Sequence, residues 1–212
     1  MNPRTVREEI AGPAGRIECA IDRPEGAPRG VAVVCHPHPQ FGGTLDNKVV
    51  QMVARTFLQL GWTSVRFNFR GIGRSQGTWG EGVGEVEDAF AVVRAVRERS
   101  EFAALPWALA GFSFGGYVAA TVAHGLPEAD KPRRLVLVGP STQKQVVPNV
   151  PADTVVLQGE VDDVVPLSAT LDWARPQSLP VIVFPGVGHF FHGQLTSLKN
   201  VLLRELRELA AV

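Results

Sequence analysis

The sequence predicts a single α/β domain, residues 1–212, built around a mostly parallel sheet with helices on both faces. Short apolar runs of strand length alternate along the chain with longer segments whose apolar residues recur at helical spacing. The 212 residues suffice for one well-filled core, and no linker-like stretch divides them. Strands that alternate with helices of this length form mostly parallel sheets.

The chain opens with two short strands, 6–10 and 16–21, which the turn sequence AGPAG separates and which we expect to be antiparallel. The next run, 30–36, is continuously apolar and rich in valine, as is typical of a strand covered on both faces.

Helices and strands alternate through the rest of the chain, which predicts a sheet of about seven or eight strands. In parallel sheets the chemistry lies beyond the carboxyl ends of the strands, so candidate site residues are sought in the loops that follow them. The predicted helices are 46–60, 85–98, 114–124, 166–174 and 193–210, and the predicted strands are 63–69, 106–112, 134–139, 154–159 and 179–184.

The charge balance excludes some classes of partner. Twenty-one basic residues equal twenty-one acidic ones, so there is no electrostatic reason to expect a nucleic acid or an anionic membrane surface. The charged N-terminus lacks the apolar segment of a secretory signal, and no apolar run reaches bilayer-spanning length. Cys19 and Cys35 fall inside predicted strands and are interpreted as buried thiols. These features predict a cytoplasmic protein.

One serine has the surroundings of a nucleophile. Residues 111–115, GFSFG, match the G-x-S-x-G pattern, in which a tight turn between a strand and a helix exposes the serine hydroxyl. Residues 73–77, GRSQG, match it too, but a glycine-rich loop follows Ser75 where a helix is required. Ser113 is therefore the predicted nucleophile, and Ser75 is interpreted as a loop serine.

A serine nucleophile needs a base that takes its proton and a carboxylate that orients the base. The tight turn that carries the serine is called the nucleophile elbow. In proteins with this elbow, the three residues occur along the chain in the order Ser, then Asp or Glu, then His. Asp162 follows the strand 154–159, and His189 follows the strand 179–184, so both are predicted at the edge that carries Ser113. Only one of Asp162 and its neighbour Asp163 can face the imidazole. We expect His192 to support the site or to pack against neighbouring residues, and not to act as the base.

Together GFSFGG after a strand, GEVDDVVP, GVGHFFHG, and HPHP followed by GGTLDNK resemble the α/β-hydrolase superfamily, and more narrowly its small, lidless bacterial serine hydrolases of the carboxylesterase type. The resemblance implies the α/β-hydrolase fold and assigns the nucleophile to Ser113, the acid to Asp162 and the base to His189. No cap domain is expected, because only about a dozen residues, 141–153, separate two strands where relatives insert one.

The resemblance also assigns two backbone N–H donors to an oxyanion hole. One is the amide of Phe114 and the other is the amide of His38; Pro37 and Pro39 have no N–H, which leaves His36 and His38 as the donors of that loop. More familiar relatives carry His-Gly here, and this chain carries His-Pro. The stretch 68–75, NFRGIGRS, resembles a scaffold loop of the family, which accounts for Ser75.

Aromatic residues favour a modest apolar substrate. Phe41, Trp79 and Phe190 are predicted to line the mouth of the site, whereas other aromatic residues at this edge, Phe112 foremost, are expected to pack in the core. The predicted reaction is hydrolysis of a small carboxylic ester through an acyl-enzyme, without cofactor or metal. The alternatives are a thioesterase, an amidase or peptidase on the same three residues, and a non-catalytic binding protein of this fold.

A zinc site is the remaining alternative. His36-x-His38 and His189-x-x-His192 would meet at the same sheet edge, and imidazoles bind zinc. This interpretation leaves the elbow glycines unexplained, and no acid lies at ligand spacing beside either pair.

Overall fold

The computed structural model describes residues 4–210, which form one sheet with the strand order β1-β2-β4-β3-β5-β6-β7-β8. β1 pairs with β2 and β2 with β4 in antiparallel fashion, and all other pairs are parallel, as predicted. The strands are β1 (Val6–Gly12), β2 (Gly15–Asp22), β3 (Val31–Cys35), β4 (Thr63–Phe67), β5 (Trp107–Phe112), β6 (Arg134–Val138), β7 (Val155–Gly159) and β8 (Val181–Phe184).

Helices cover both faces of the sheet. Successive strand residues point to opposite faces, so Val33 of β3 packs in the core with Val118, and Val34 packs in the other core with Leu202. Both faces of the central strands are therefore apolar, which is why the sequence of β3 is a continuous run of buried residues. The helices within the described residues are α1 (Lys48–Gln59), α2 (Val83–Arg97), α3 (Phe114–Gly125), α4 (Leu167–Ala174) and α5 (Leu195–Glu205).

The last helix is shorter than predicted. α5 ends at Glu205, and a 3-10 turn (Arg207–Ala210) replaces the rest of the predicted helix. The turn brings Leu209 into the core, where its carbonyl oxygen accepts a hydrogen bond of 2.9 Å from Trp62 Nε1. A tertiary contact thus overrides the local helical pattern.

The strand β4 ends at Phe67, two residues earlier than predicted, and the amide of Phe69 bonds to a side chain instead of to a neighbouring strand. The Asn68 N–H donates to the carbonyl of Glu18 at 2.9 Å, and the Phe69 N–H donates to His36 Nε2 at 3.1 Å. The predicted buried thiols of Cys19 and Cys35 are fully buried in β2 and β3. Within residues 4–210, no helix has the length and apolar character to cross a membrane.

Two glycines allow the turn between β5 and α3. A Cβ atom on Gly111 would overlap the carbonyl oxygen of Gly115, and one on Gly115 would overlap the carbonyl oxygens of Cys35 and His36. Because these neighbours are backbone atoms, they cannot rotate away. The start of α3 therefore lies directly against the end of β3.

We predict that Gly111→Ala lowers the free energy of unfolding by at least about 3 kcal/mol, because the methyl group meets immovable backbone. Gly188→Ala is the matched control: like Gly111 it has no positive φ, and the nearest atom to its added Cβ is the Val161 carbonyl oxygen at 3.8 Å, an ordinary contact. Urea denaturation of both variants measures the difference, and equal losses would contradict the close approach.

Candidate active site

Ser113 occupies a strained turn at the end of β5. Its φ of 56° and ψ of −120° lie in a region that residues other than glycine rarely adopt. The surrounding backbone holds this conformation: the Ser113 N–H donates to the carbonyl of Val138 at 2.9 Å, and the Ser113 carbonyl accepts from the N–H groups of Gly116 at 2.8 Å and Ser141 at 3.2 Å. The hydroxyl is thereby presented at the carboxyl edge of the sheet.

The structure brings Ser113, His189 and Asp162 into one hydrogen-bonded line. Ser113 Oγ lies 2.9 Å from His189 Nε2, and His189 Nδ1 lies 2.7 Å from Asp162 Oδ2. A carboxylate accepts, so Nδ1 carries the proton and Nε2 is free to accept from the serine hydroxyl. All three side chains are buried, and they follow β5, β7 and β8, the strand ends from which the sequence predicted them.

The backbone after β7 selects Asp162 over Asp163. Asp162 Oδ1 accepts hydrogen bonds from the N–H groups of Val164 at 2.9 Å and Val165 at 2.7 Å, which orients the carboxylate. Its second oxygen, Oδ2, accepts the hydrogen bond from His189 Nδ1. Asp163 is exposed and forms no hydrogen bond to the imidazole within the described residues. The residue pattern alone left this choice open, and the family resemblance assigned the acid to Asp162.

Gln158 is a site residue that the sequence interpretation missed. Its Nε2 donates to Asp162 Oδ2 at 2.8 Å, the oxygen that also faces His189, and to the carbonyl of Val165 at 2.8 Å. Its Oε1 accepts from Thr170 Oγ1 at 3.0 Å, which fixes the orientation of the amide. Gln158 is fully buried. The available signal was a polar residue within an otherwise apolar strand, TVVLQG.

The two predicted oxyanion donors lie on adjacent segments. Phe114 is the first residue of α3, so its N–H has no acceptor within the helix. The loop that carries His38 follows β3, whose end lies against Gly115, and the rings of His38 and Phe114 are 4.9 Å apart. The donor role of both amides remains a prediction.

His36 has a structural environment. Its Nδ1 donates to the Pro37 carbonyl at 2.6 Å, and its Nε2 accepts from the Phe69 N–H at 3.1 Å. Burial lowers the pKa of His36 to about 3, so the ring is neutral. With both nitrogens bonded, His36 has no free lone pair for the zinc site considered above. Within the described part of the chain, no group of three or more His, Cys, Asp or Glu side chains has an arrangement that could hold a metal ion.

Ser75 supports a loop, as its context in the sequence indicates. Its hydroxyl donates to the Asn68 carbonyl at 2.7 Å and accepts from the Glu18 N–H at 2.9 Å. The Asn68 amide in turn donates to Glu18 Oε2 at 2.8 Å and accepts from the Leu45 N–H at 2.8 Å. Ser75 therefore connects β2 to the loop after β4.

The predicted mouth residues lie on two sides of Ser113. On the first side, the His38 ring is 4.7 Å from both Phe41 and Trp79. On the second side, the Phe190 ring is 5.1 Å from the His189 ring. Phe41 is 77% exposed and Phe190 44%, so both are available to a ligand.

The other aromatic residues of this edge pack in the core. Phe112, Phe114 and Phe191 are buried, and the Phe112 ring packs 4.9 Å from the His189 ring. The expectation that Phe112 belongs to the core is confirmed. His192 is exposed and its ring lies 5.8 Å from Phe190, which agrees with a packing role.

Two cavities adjoin His189 and Phe190. One has a volume of about 450 Å³ and is lined by Asp163, His189, Phe190 and His192 among others. The second, of about 380 Å³, shares Phe190 and His192 and extends to Lys48. A larger cavity of about 900 Å³ lies between the β1–β2 turn and α2 and contains none of the site residues.

Comparisons with known proteins agree with this architecture. The family model described as serine aminopeptidase, S33, matches residues 26–168. The structure of XC6422 from Xanthomonas campestris, described as an α/β serine hydrolase without a lid, is similar with a TM-score of 0.89 and 35% identity, and the match covers 98% of this chain and 96% of that chain.

Two further relatives are similar along most of their length. An α/β serine hydrolase homologue from Coxiella burnetii has a TM-score of 0.87 and 40% identity, over 95% of this chain and 97% of that one. A protein of Rickettsia prowazekii described as uncharacterised, RP471, is 31% identical over 193 residues, 85% of this chain and 79% of that protein.

We predict that His36 makes folding sensitive to acid. Its pKa is about 3 in the folded chain against 6.5 for an ordinary histidine, so between these values the unfolded state binds one more proton. The contribution of His36 to the free energy of unfolding is therefore fully present above pH 6.5. It decreases as the pH falls below 6.5, by at most about 1.4 kcal/mol per pH unit. Urea denaturation at pH 4.5, 5.5 and 6.5 should show a smaller pH slope for His36→Asn than for the wild type; identical slopes would show that His36 titrates normally when folded.

Proposed function

This chain belongs to the α/β serine hydrolases, and we propose that it hydrolyses small carboxylic esters through an acyl-enzyme formed on Ser113. One observation carries the proposal: the hydroxyl of Ser113, the imidazole of His189 and the carboxylate of Asp162 lie in a continuous line of hydrogen bonds of 2.9 and 2.7 Å. This is the geometry in which a base and its orienting acid activate a serine nucleophile.

In the first half-reaction His189 Nε2 takes the proton of Ser113 Oγ while the oxygen attacks the ester carbonyl carbon. The Asp162 carboxylate stabilises the imidazolium that forms. The N–H groups of His38 and Phe114 donate to the negative oxygen of the tetrahedral intermediate. His189 then gives its proton to the leaving alkoxide, which departs as the alcohol and leaves the acyl group on Ser113.

In the second half-reaction water replaces the alcohol. His189 takes a proton from water, whose oxygen attacks the acyl carbon, and the proton returns to Ser113 Oγ as the carboxylic acid leaves. The open catalytic edge suits this step, because the connection 139–154 between β6 and β7 contains only turns and no helix that could close over the site. A small substrate with an apolar group fits the exposed rings of Phe41 and Phe190.

A peptidase acting on short peptides is the second candidate. The matching family model carries the description of an aminopeptidase. Such an enzyme must hold a free ammonium group, and the exposed Asp163, which lines the cavity beside His189, is an anionic side chain in a suitable place. Faster hydrolysis of aminoacyl anilides than of simple esters would favour this candidate. Hydrolysis of a panel of thioesters tests the remaining alternative, a thioesterase that uses the same three residues.

We predict that Ser113→Ala lowers kcat for p-nitrophenyl acetate by at least about 10⁴-fold without unfolding the protein, because no other group replaces the nucleophile. Ser168→Ala, at an exposed position of α4, is the matched control and should retain full activity. A fluorophosphonate probe should modify the wild type once, on the peptide that contains Ser113 and not on the one that contains Ser75. An inert protein would instead indicate a binding platform.

We further predict that Gln158 positions Asp162. Gln158→Leu removes a donor from the carboxylate oxygen that faces His189, and a displaced base should lower kcat by about 10- to 100-fold with little change in KM. Gln158→Glu adds a readout that a merely structural role would not move: a protonated Glu still donates to Asp162, whereas a charged one repels it, so the activity of this variant relative to the wild type should rise as the pH falls. A loss of kcat that is explained by a lower fraction of folded protein, together with a pH profile like that of the wild type, would contradict the positioning role of Gln158.

A further inference from the structure

A lysine at the mouth of the proposed site has no acidic partner. Lys131 forms an ion pair with Glu128 at 2.6 Å, but none of the ion pairs formed within residues 4–210 includes Lys144. Its ammonium group instead lies 5.6 Å from the centre of the Phe41 ring. This distance is within the range of a cation–π contact.

The backbone ties Lys144 to the nucleophile. The Ser141 N–H donates to the Ser113 carbonyl at 3.2 Å, and the Gln145 N–H donates to the Ser141 carbonyl at 3.0 Å. The segment 141–145 is therefore a turn whose first residue, Ser141, is hydrogen-bonded to Ser113. Lys144 lies in this turn, so its backbone segment is joined to the Ser113 turn by a direct hydrogen bond.

The charge of Lys144 reaches the proposed oxyanion donor. The pKa of His38 is lowered, first by burial and then by repulsion from Lys144. The ring of Phe41 lies between them, 4.7 Å from the His38 ring.

A strip of rings formed by Trp79, His38 and Phe41 leads to the lysine. The buried Phe114 ring, directly after Ser113, packs against this strip at 4.9 Å from the His38 ring and 5.5 Å from the Trp79 ring. His38 contacts Phe41, and Phe41 contacts Lys144. A ligand chain that leaves the carbonyl carbon along this strip is apolar at first and meets a positive charge at its end.

We propose that this strip and Lys144 form a subsite for an acyl chain that ends in a carboxylate, so that the preferred substrates are esters of dicarboxylic acids with one free carboxylate. This inference rests on the proposed ester hydrolysis. Water adds to the ester, one acyl–oxygen bond breaks, and the products are a dicarboxylate and an alcohol. The terminal carboxylate takes no part in bond making; Lys144 binds it and orients the acyl chain.

Asp46 and Asp163 do not neutralise this subsite. Asp46 forms ion pairs with Arg7 at 2.7 Å and with Arg66 at 3.3 Å. Asp163 lines the cavity beside His189, whose lining includes neither Phe41 nor Lys144.

The test compares two esters of matched length, p-nitrophenyl valerate and p-nitrophenyl hemiglutarate, in the wild type and in Lys144→Met. Met keeps much of the apolar stem and removes the charge. We expect kcat/KM for the hemiglutarate to fall by about tenfold, the size of one partly exposed charge contact, and kcat/KM for the valerate to change less than about twofold. Lys48→Met is the matched control, because Lys48 is a lysine of the same edge that lines the cavity beside Phe190.

The outcomes separate this subsite from the proposed function. Equal effects of Lys144→Met on both esters, or an equal effect of Lys48→Met on the hemiglutarate, would overturn the subsite while ester hydrolysis stands. If the wild type hydrolyses neither ester, the proposed function fails and the subsite is tested by binding. Monomethyl glutarate should then bind Ser113→Ala more tightly than the Ser113→Ala, Lys144→Met double variant in calorimetry, and equal affinities would overturn the subsite as well.

Discussion

The close approach of the first turn of α3 to the end of β3 is the constraint on which the site depends. Gly115 lies against the carbonyl oxygens of Cys35 and His36, and Gly111 lies against Gly115. No side chain fits between these segments, so the helix starts where the strand ends. The same approach accompanies the strained conformation of Ser113 and brings the His38 ring to 4.9 Å from the Phe114 ring. The proposed nucleophile and the proposed oxyanion donors thus lie on segments that one packing requirement holds together.

Buried polar contacts fix the remaining geometry. The loop after β7 surrounds Asp162 with two backbone N–H groups and with the amide of Gln158, whose orientation Thr170 sets. Since each member has its partners, the network is rigid in a low-dielectric interior. His36 serves the other side of the site in the same way, because its two hydrogen bonds join the loop after β3 to the residue that follows β4 on the neighbouring segment. Loops that carry chemistry are thereby held as firmly as the strands.

The open edge gives the substrate a different kind of environment on each side. Phe41, Trp79 and Lys144 border the strip that runs past His38, and Phe190 with Asp163 borders the cavity beside His189. In the proposed subsite the Lys144 ammonium group attracts the terminal carboxylate, and the Phe41 ring packs against the apolar part of the acyl chain. Selectivity on such a surface depends on a few side chains, since no lid encloses the ligand.

The sequence by itself determined the order of the elements, the elbow at Ser113, the choice between Ser113 and Ser75, and the strand ends that carry an acid and His189. These features follow from short-range rules: apolar periodicity, glycines at fixed offsets, and the chain order of the three residues. Residue spacing alone did not decide between Asp162 and Asp163, because the direction of a side chain leaving a strand depends on the turn that follows; only the family resemblance assigned the acid to Asp162.

Only the tertiary structure revealed Gln158, the burial of His36, the end of α5 at Glu205 and the position of Lys144. Each of these depends on contacts between residues far apart in the chain, and such contacts leave no periodic signal. Local pattern therefore determined which residues are available for the chemistry. The packing of distant segments decided which of them meet, because backbone and side-chain hydrogen bonds between strand ends are satisfied only once the sheet is assembled.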